Sequence, residues 1–137
     1  KKHVIFESVP ITGQIDKIEI IDADKKLVNI IDYKTGNPKS SKLKRGEDYW
    51  RQIVFYKILC DNCEFFPYKM VSGAVDFVQK DKESETFKKI TVLIEKEDID
   101  ILSAEIKDSY EEIKSLAFLK FSADRYCGEC DWCAIRS

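Results

Sequence analysis

Asp32 and Lys34 stand two residues apart at the close of an apolar run, Asn29-Ile30-Ile31-Asp32-Tyr33-Lys34-Thr35-Gly36. Residues two apart in a strand point to one face. The carboxylate and the ammonium therefore lie side by side, at the end of a strand whose Ile30 and Ile31 read as buried. A charge on a core face costs several kcal/mol unless it is paired, so two of them there usually mark a site. A second acid, Asp16, closes Gly13-Gln14-Ile15-Asp16 just ahead of Lys17-Ile18-Glu19-Ile20-Ile21. The run Asp22-Ala23-Asp24-Lys25-Lys26 reads as a turn, and a hairpin about it brings Asp16 opposite the Asp32 end. Two carboxylates and a lysine then converge, which suits a divalent cation acting on a phosphodiester. Mg2+ accepts a few carboxylates and keeps several waters. It supplies an activated water and neutralises developing charge. Asp16 and Asp32 are its expected ligands, with the backbone carbonyl of Tyr33 as a third. Lys34 is expected to orient the water or stabilise the charge on the phosphate. The competing reading is a simple ion pair at a strand end, because Asp-x-Lys is short and common. Gly13-x-x-Asp16 upstream and Gln52-x-x-x-Tyr56 downstream weigh against it.

Positioning these groups takes strands first. Residues 3–9 read as a strand ending at Pro10. Residues 11–22 read as a second, with Gly13 permitting a bend near Asp16, and residues 27–35 as a third. Short links make these an antiparallel meander. Residues 36–48 are a loop by composition, through Asn37-Pro38, Ser40-Ser41 and Gly46. This loop is the most basic part of the chain. Lys39, Lys42, Lys44 and Arg45, with Arg51 beyond them, are the expected contacts to a nucleic-acid backbone. Residues 48–61 read as a helix capped near Glu47 or Asp48 and ended by Asn62 and Pro67. Ile53, Val54, Tyr56, Ile58 and Leu59 form its apolar side. Gln52 and Tyr56, four apart, share a face and would reach the site as phosphate or base contacts.

Residues 69–79 read as a strand parallel to 27–35 through a right-handed crossover. A charged turn over 80–85 and a partner strand over 86–94 complete a hairpin. Residues 96–118 form the longest helix, striped by Ile99, Leu102, Ile106, Tyr110, Ile113 and Ala117. Its other face carries Asp98, Asp100, Glu105, Asp108, Glu111 and Glu112 and reads as solvated, since it would repel phosphate. The expected fold is α/β: a mixed central sheet, antiparallel meander plus parallel crossover strand and hairpin, flanked by helices.

Composition bounds the rest. The 137 residues are 44% hydrophobic and 35% charged, with a net charge of −2. That supports one compact domain over 1–137. It excludes a whole-protein basic field for nucleic acid, so such binding must use a local patch. No apolar run reaches the ~20 residues of a membrane span, so no membrane partner is expected, and no signal peptide is recognisable. A start at Lys1-Lys2-His3-Val4, directly in a strand-like stretch, is expected of a piece of a longer protein. The five cysteines, Cys60, Cys63, Cys127, Cys130 and Cys133, are odd in number and clustered. They argue for a reducing compartment, the cytoplasm, and against a disulfide framework. Cys127, Cys130 and Cys133 make Cys-x2-Cys-x2-Cys in an irregular tail over 119–137, a spacing that reads as metal or cluster ligation. Cys60 follows Leu59 on the apolar helix and reads as a small buried thiol.

Gly13-x-x-Asp16, Ile31-Asp32-Tyr33-Lys34-Thr35-Gly36 and Gln52-x-x-x-Tyr56 together resemble the core of the PD-(D/E)XK nuclease superfamily, whose fold is restriction-endonuclease-like. Within it the chain most resembles the C-terminal nuclease domains of RecB- and AddB-type (UvrD/Rep-like) helicase–nucleases and the CRISPR-associated adaptation nucleases. The resemblance implies a Mg2+- or Mn2+-dependent DNA exonuclease that processes ends for recombinational repair beside a helicase domain or subunit. It implies that Asp16 and Asp32 bind the metal, that Lys34 is the catalytic lysine, and that Gln52 and Tyr56 form the extra motif. The late cysteines resemble the family's C-terminal group, in which three late and one early cysteine hold a 4Fe-4S cluster. Zn2+ is the alternative occupant, and Cys60 or Cys63 could supply the fourth ligand. One part of the pattern is missing: an upstream helix with a His or Glu that completes the metal site. His3 and Glu7 are poor substitutes, so a fragment lacking that helix is expected to bind metal weakly.

Two other functions compete. The fold could serve as a non-catalytic DNA-binding module of a helicase complex, although the complete Asp/Asp/Lys set argues against that. A zinc-ribbon-like interaction domain centred on the cysteines is weaker still, given the long preceding stretch with its own core.

Overall fold

A computed structural model describes residues 4–35, 40–81 and 84–116. The chain divides into two compact units, Lys1–Ile106 and Lys107–Ser137. The elements are β1 (Val4–Phe6), β2 (Val9–Ile11), β3 (Lys17–Asp22), β4 (Leu27–Lys34), α1 (Asp48–Asp61), β5 (Lys69–Phe77), β6 (Lys89–Val92) and α2 (Lys96–Lys114), with a 3-10 turn at Ser40–Leu43. A four-stranded mixed sheet runs β3-β4-β5-β6, with β4 and β5 parallel and the outer pairs antiparallel. The restriction-endonuclease-like core expected from the sequence is present.

The first strands differ from expectation. β1 and β2 pair with each other in a separate two-stranded sheet, so the meander of three long strands is not formed. Glu7 and Ser8 turn the chain with φ of 43° and 77°. Two successive positive φ angles match the twist of a tight hairpin, and that geometry outweighs the stop at Pro10. Pro10 lies inside β2 opposite Ile5, tolerable in an edge strand because no ladder N–H is needed there. Residues 12–15 carry no regular structure, and Asp16 sits just before β3.

β4 is central and buried on both faces over Val28–Asp32, the continuous apolar pattern of a strand covered on both sides. Its parallel register sets Val28, Ile30, Asp32 and Lys34 beside Met70, Gly73, Val75 and Phe77. α1 packs on this face, burying Trp50, Ile53, Val54, Tyr56, Ile58, Leu59 and Cys60. The approach is so close that a Cβ on Gly73 would lie 2.3 Å from Ile53 Cγ2; only glycine fits there. Glu47 is the N-cap of α1 without a side-chain cap bond, and Asn62 is its C-cap.

α2 buries only Leu102 and Asp98, leaving Ile113 60% exposed. Its acidic face is not wholly solvated, because Asp98 and Glu105 take up arginines of the first unit, as described below. In the second unit, Lys114 bonds Glu111 and stands over the Tyr110 ring. No described helix is long and apolar enough to cross a membrane. His3, Lys39, Ala117, the cysteine tail and its Cys127, Cys130 and Cys133 lie outside the described residues.

Candidate active site

The hairpin of β3 and β4 does what the spacing implies. Lys17 pairs with Ile31, so Asp16 falls opposite Asp32 one step beyond the ladder. Asp16 is tied to β4 directly: the Tyr33 N–H donates to Asp16 Oδ2 at 2.9 Å.

Asp32 is 2% exposed, and α1 supplies most of its partners. Gln52 Nε2 donates to Asp32 Oδ1 at 2.6 Å and to the Tyr56 hydroxyl at 2.9 Å. Gln52 Oε1 accepts from Lys34 Nζ at 2.6 Å. The amide thus places its oxygen on the ammonium and its nitrogen on the carboxylate, the one orientation that satisfies both. The Tyr56 hydroxyl lies 3.0 Å from the Gln14 carbonyl and 3.1 Å from Asp32 Oδ1. Having one proton, it donates to one of these at a time. Burial, then the charge of Asp32, pushes the Tyr56 phenol up to about 12. It is a neutral donor at physiological pH.

The remaining oxygen, Asp32 Oδ2, is different. Lys34 Nζ lies 2.7 Å away in an ion pair. That ion pair is its described contact, and Oδ2 accepts no hydrogen bond. Buried carboxylate oxygens normally have such partners. An oxygen with charge and unused acceptor capacity suits a hard cation, whose preferred ligands are oxygens. Asp16 uses only Oδ2 in a described hydrogen bond, so its other oxygen is also available. Asp16 and Asp32 thus offer oxygens of the kind a divalent metal takes. Among the described residues no third His, Cys, Asp or Glu joins them, so further ligands there must be of another kind, such as the Tyr33 carbonyl or water.

The basic residues divide. Arg45 is held by three carboxylates, with Nε on Asp98 at 2.7 Å, Nη1 on Glu97 at 2.9 Å and Nη2 on Glu95 at 3.4 Å. The Asp98 bond raises its pKa further. Arg51 bonds Glu105 at 2.9 and 3.4 Å. Lys42 reaches Asp48 at 3.4 Å, and Lys44 is exposed. Two contributors are absent from the residues singled out by motif. The Gln14 carbonyl has no sequence signal, since every residue carries one. Tyr49 does: it precedes Gln52 by three and so shares its face. Lys34 Nζ stands 5.4 Å from its ring centroid.

Of the cysteines, Cys60 is buried and Cys63 half-buried, both as free thiols. Burial pushes the Cys60 thiol up to about 11, the behaviour of a core residue.

A mixed sheet whose central parallel strand ends in an Asp-x-Lys pair, faced by a helix, defines the class: a restriction-endonuclease-like α/β fold. Residues 2–137 match the PD-(D/E)XK nuclease superfamily, and the chain belongs to that superfamily. No curated protein matches it.

Proposed function

We propose that this chain is the catalytic domain of a Mg2+- or Mn2+-dependent deoxyribonuclease acting exonucleolytically on DNA ends. In this reading it works in the cytoplasm beside a helicase domain or subunit, in end processing for recombinational repair. One observation carries the catalytic part: the buried Asp32 Oδ2, ion-paired with Lys34 and accepting no hydrogen bond. A metal there would supply an activated water and neutralise the phosphate. Asp16 and Asp32 would hold it, with the Tyr33 carbonyl as a third ligand. Gln52 and Tyr56 fix the Asp32 carboxylate by bonding its other oxygen. Lys34 can offer an N–H not donated to Gln52 to the phosphate oxygens or to the attacking water. Lys39, Lys42 and Lys44 would contact the DNA backbone, whereas Arg45 and Arg51 could do so only by giving up their carboxylates. The helicase association, repair role and a 4Fe-4S cluster or Zn2+ at Cys127, Cys130 and Cys133 rest on resemblance of the quoted motifs.

The test is cleavage of end-labelled linear DNA by the full-length protein. Asp32→Ala and Lys34→Ala are expected to abolish cleavage while keeping the wild-type circular dichroism, and EDTA to silence the wild type until Mg2+ is restored. Unchanged cleavage by either variant overturns the catalytic assignment. Stoichiometric DNA binding without turnover supports the binding-module alternative.

A further inference from the structure

Two ammonium groups converge on one aromatic ring at the start of α1. Lys34 Nζ lies 5.4 Å from the Tyr49 centroid and Lys42 Nζ lies 5.3 Å from it. A cation within about 6 Å of a ring centroid is attracted by the ring quadrupole. The ring is anchored. Tyr49 is half-buried and meets Phe77 edge-on, with centroids 6.1 Å apart and planes at 61°. Phe77 is 1% exposed and is the register partner of Lys34 across β4 and β5. The platform is thus fixed in the core beside the lysine it holds. Spacing three and then four along α1 aligns Tyr49, Gln52 and Tyr56 on one face, presenting a ring, an amide and a phenol to the end of β4.

A lysine ammonium rides on a flexible four-carbon stem, and its position must be set by contacts. Asp32 and Gln52 hold Lys34 on one side at 2.7 and 2.6 Å. Neither accounts for Tyr49. Lys42, in the 3-10 turn after β4, shares the same ring, and its described ion pair is the 3.4 Å contact to the exposed Asp48.

We propose that Tyr49 is a positioning residue: its ring holds the Lys34 ammonium against Asp32 and is shared with Lys42. This rests on the nuclease reading above. The two like charges compete for one ring. A DNA phosphate that draws Lys42 away therefore leaves the ring to Lys34, so that loading the backbone tightens the hold on the lysine of the chemical step.

The test uses the full-length protein with Tyr49 replaced by Phe, by Leu and by a series of progressively fluorinated phenylalanines, which drain the quadrupole at nearly constant shape. Tyr49→Phe is expected to keep kcat within about threefold, while Tyr49→Leu lowers kcat about tenfold with KM nearly unchanged. Log kcat should fall steadily with fluorination, which a space-filling role does not predict. A flat series, or a fully active Tyr49→Leu in a protein that Lys34→Ala inactivates, overturns the proposal. A wild type that cuts nothing overturns the nuclease reading instead, and a second measurement still decides on Tyr49. The Hε resonances of Lys34 should be shifted by the ring current in the wild type and lose that shift in Tyr49→Leu. Unshifted wild-type resonances overturn it.

Discussion

Asp32 and Asp98 are both buried carboxylates beside a cation, and they are completed differently. Asp98, 3% exposed, uses both oxygens: Oδ1 accepts from Arg45 Nε at 2.7 Å and Oδ2 from the Glu95 N–H at 2.8 Å. Asp81, 5% exposed, follows the same plan, with the Ser84 N–H and hydroxyl on one oxygen and Lys88 Nζ on the other. Asp32, at 2%, crowds Gln52 and Tyr56 onto Oδ1 and leaves Oδ2 with an ion pair but no hydrogen bond. A carboxylate that serves only the fold is saturated, because each buried acceptor left without a bond costs about 1–3 kcal/mol. Asp32 Oδ2 is compensated by charge alone, through the Lys34 ammonium at 2.7 Å.

The sharpest way to break this contrast is to neutralise each aspartate in turn. Asp32→Asn should lower DNA cleavage by on the order of a thousandfold, since it removes the charge that a metal would need. Its fold should survive at a cost of about 3 kcal/mol, because removing one partner of a buried pair leaves the Lys34 charge uncompensated. Asp98→Asn should cost stability alone, moving urea unfolding to lower concentration as the Arg45 pair is lost, while the folded protein keeps cleaving. If Asp98→Asn lost cleavage without losing stability, the distinction between saturated and unsaturated carboxylates would fail.

A smaller effect sharpens the description of Asp32's own partners. Tyr56 has its phenol raised from 10.0 to about 12, so the folded state holds that proton more tightly than the unfolded chain. The contribution is complete below about pH 10 and is lost as pH climbs through about 12. Unfolding free energy should therefore fall by about 3 kcal/mol across that window, and Tyr56→Phe should flatten the fall. A curve indifferent to Tyr56→Phe would mean that the phenol is not held as described.

The smallest effect concerns the two described thiols. Cys60, raised to about 11 by burial, should react with a thiol reagent at neutral pH about a hundredfold more slowly than in the unfolded chain. Half-buried Cys63 should react first. Equal rates at both would argue that the C-terminal end of α1 opens readily.

Much of the site is legible in residue spacing alone. The two-residue period of a strand puts Asp32 and Lys34 on one face, and the four-residue spacing of a helix puts Gln52 with Tyr56. The turn at Asp22–Lys26 implies the hairpin that opposes Asp16 to Asp32. The parallel strand and the terminal hairpin also follow from element order. The first strands escape such reasoning because Glu7 and Ser8 are unremarkable turn formers by type, and their positive φ angles arise from the hairpin itself. The arginines escape it for a related reason. Local spacing shows a basic loop and an acidic helix, but it does not show that Arg45 meets Asp98 or that Arg51 meets Glu105.

What the amino-acid sequence determines by itself, then, is which candidate groups gather: Asp32 with Lys34 and Gln52 with Tyr56 by strand and helix periods, and Asp16 through the turn that makes the hairpin. Which oxygen of Asp32 is satisfied, which arginines are already neutralised, and that Tyr49 carries two ammonium groups were decided only by the tertiary structure. These depend on distances between segments far apart in the chain, and such distances are set by the packing of α1 onto the sheet through Gly73, not by any spacing along it.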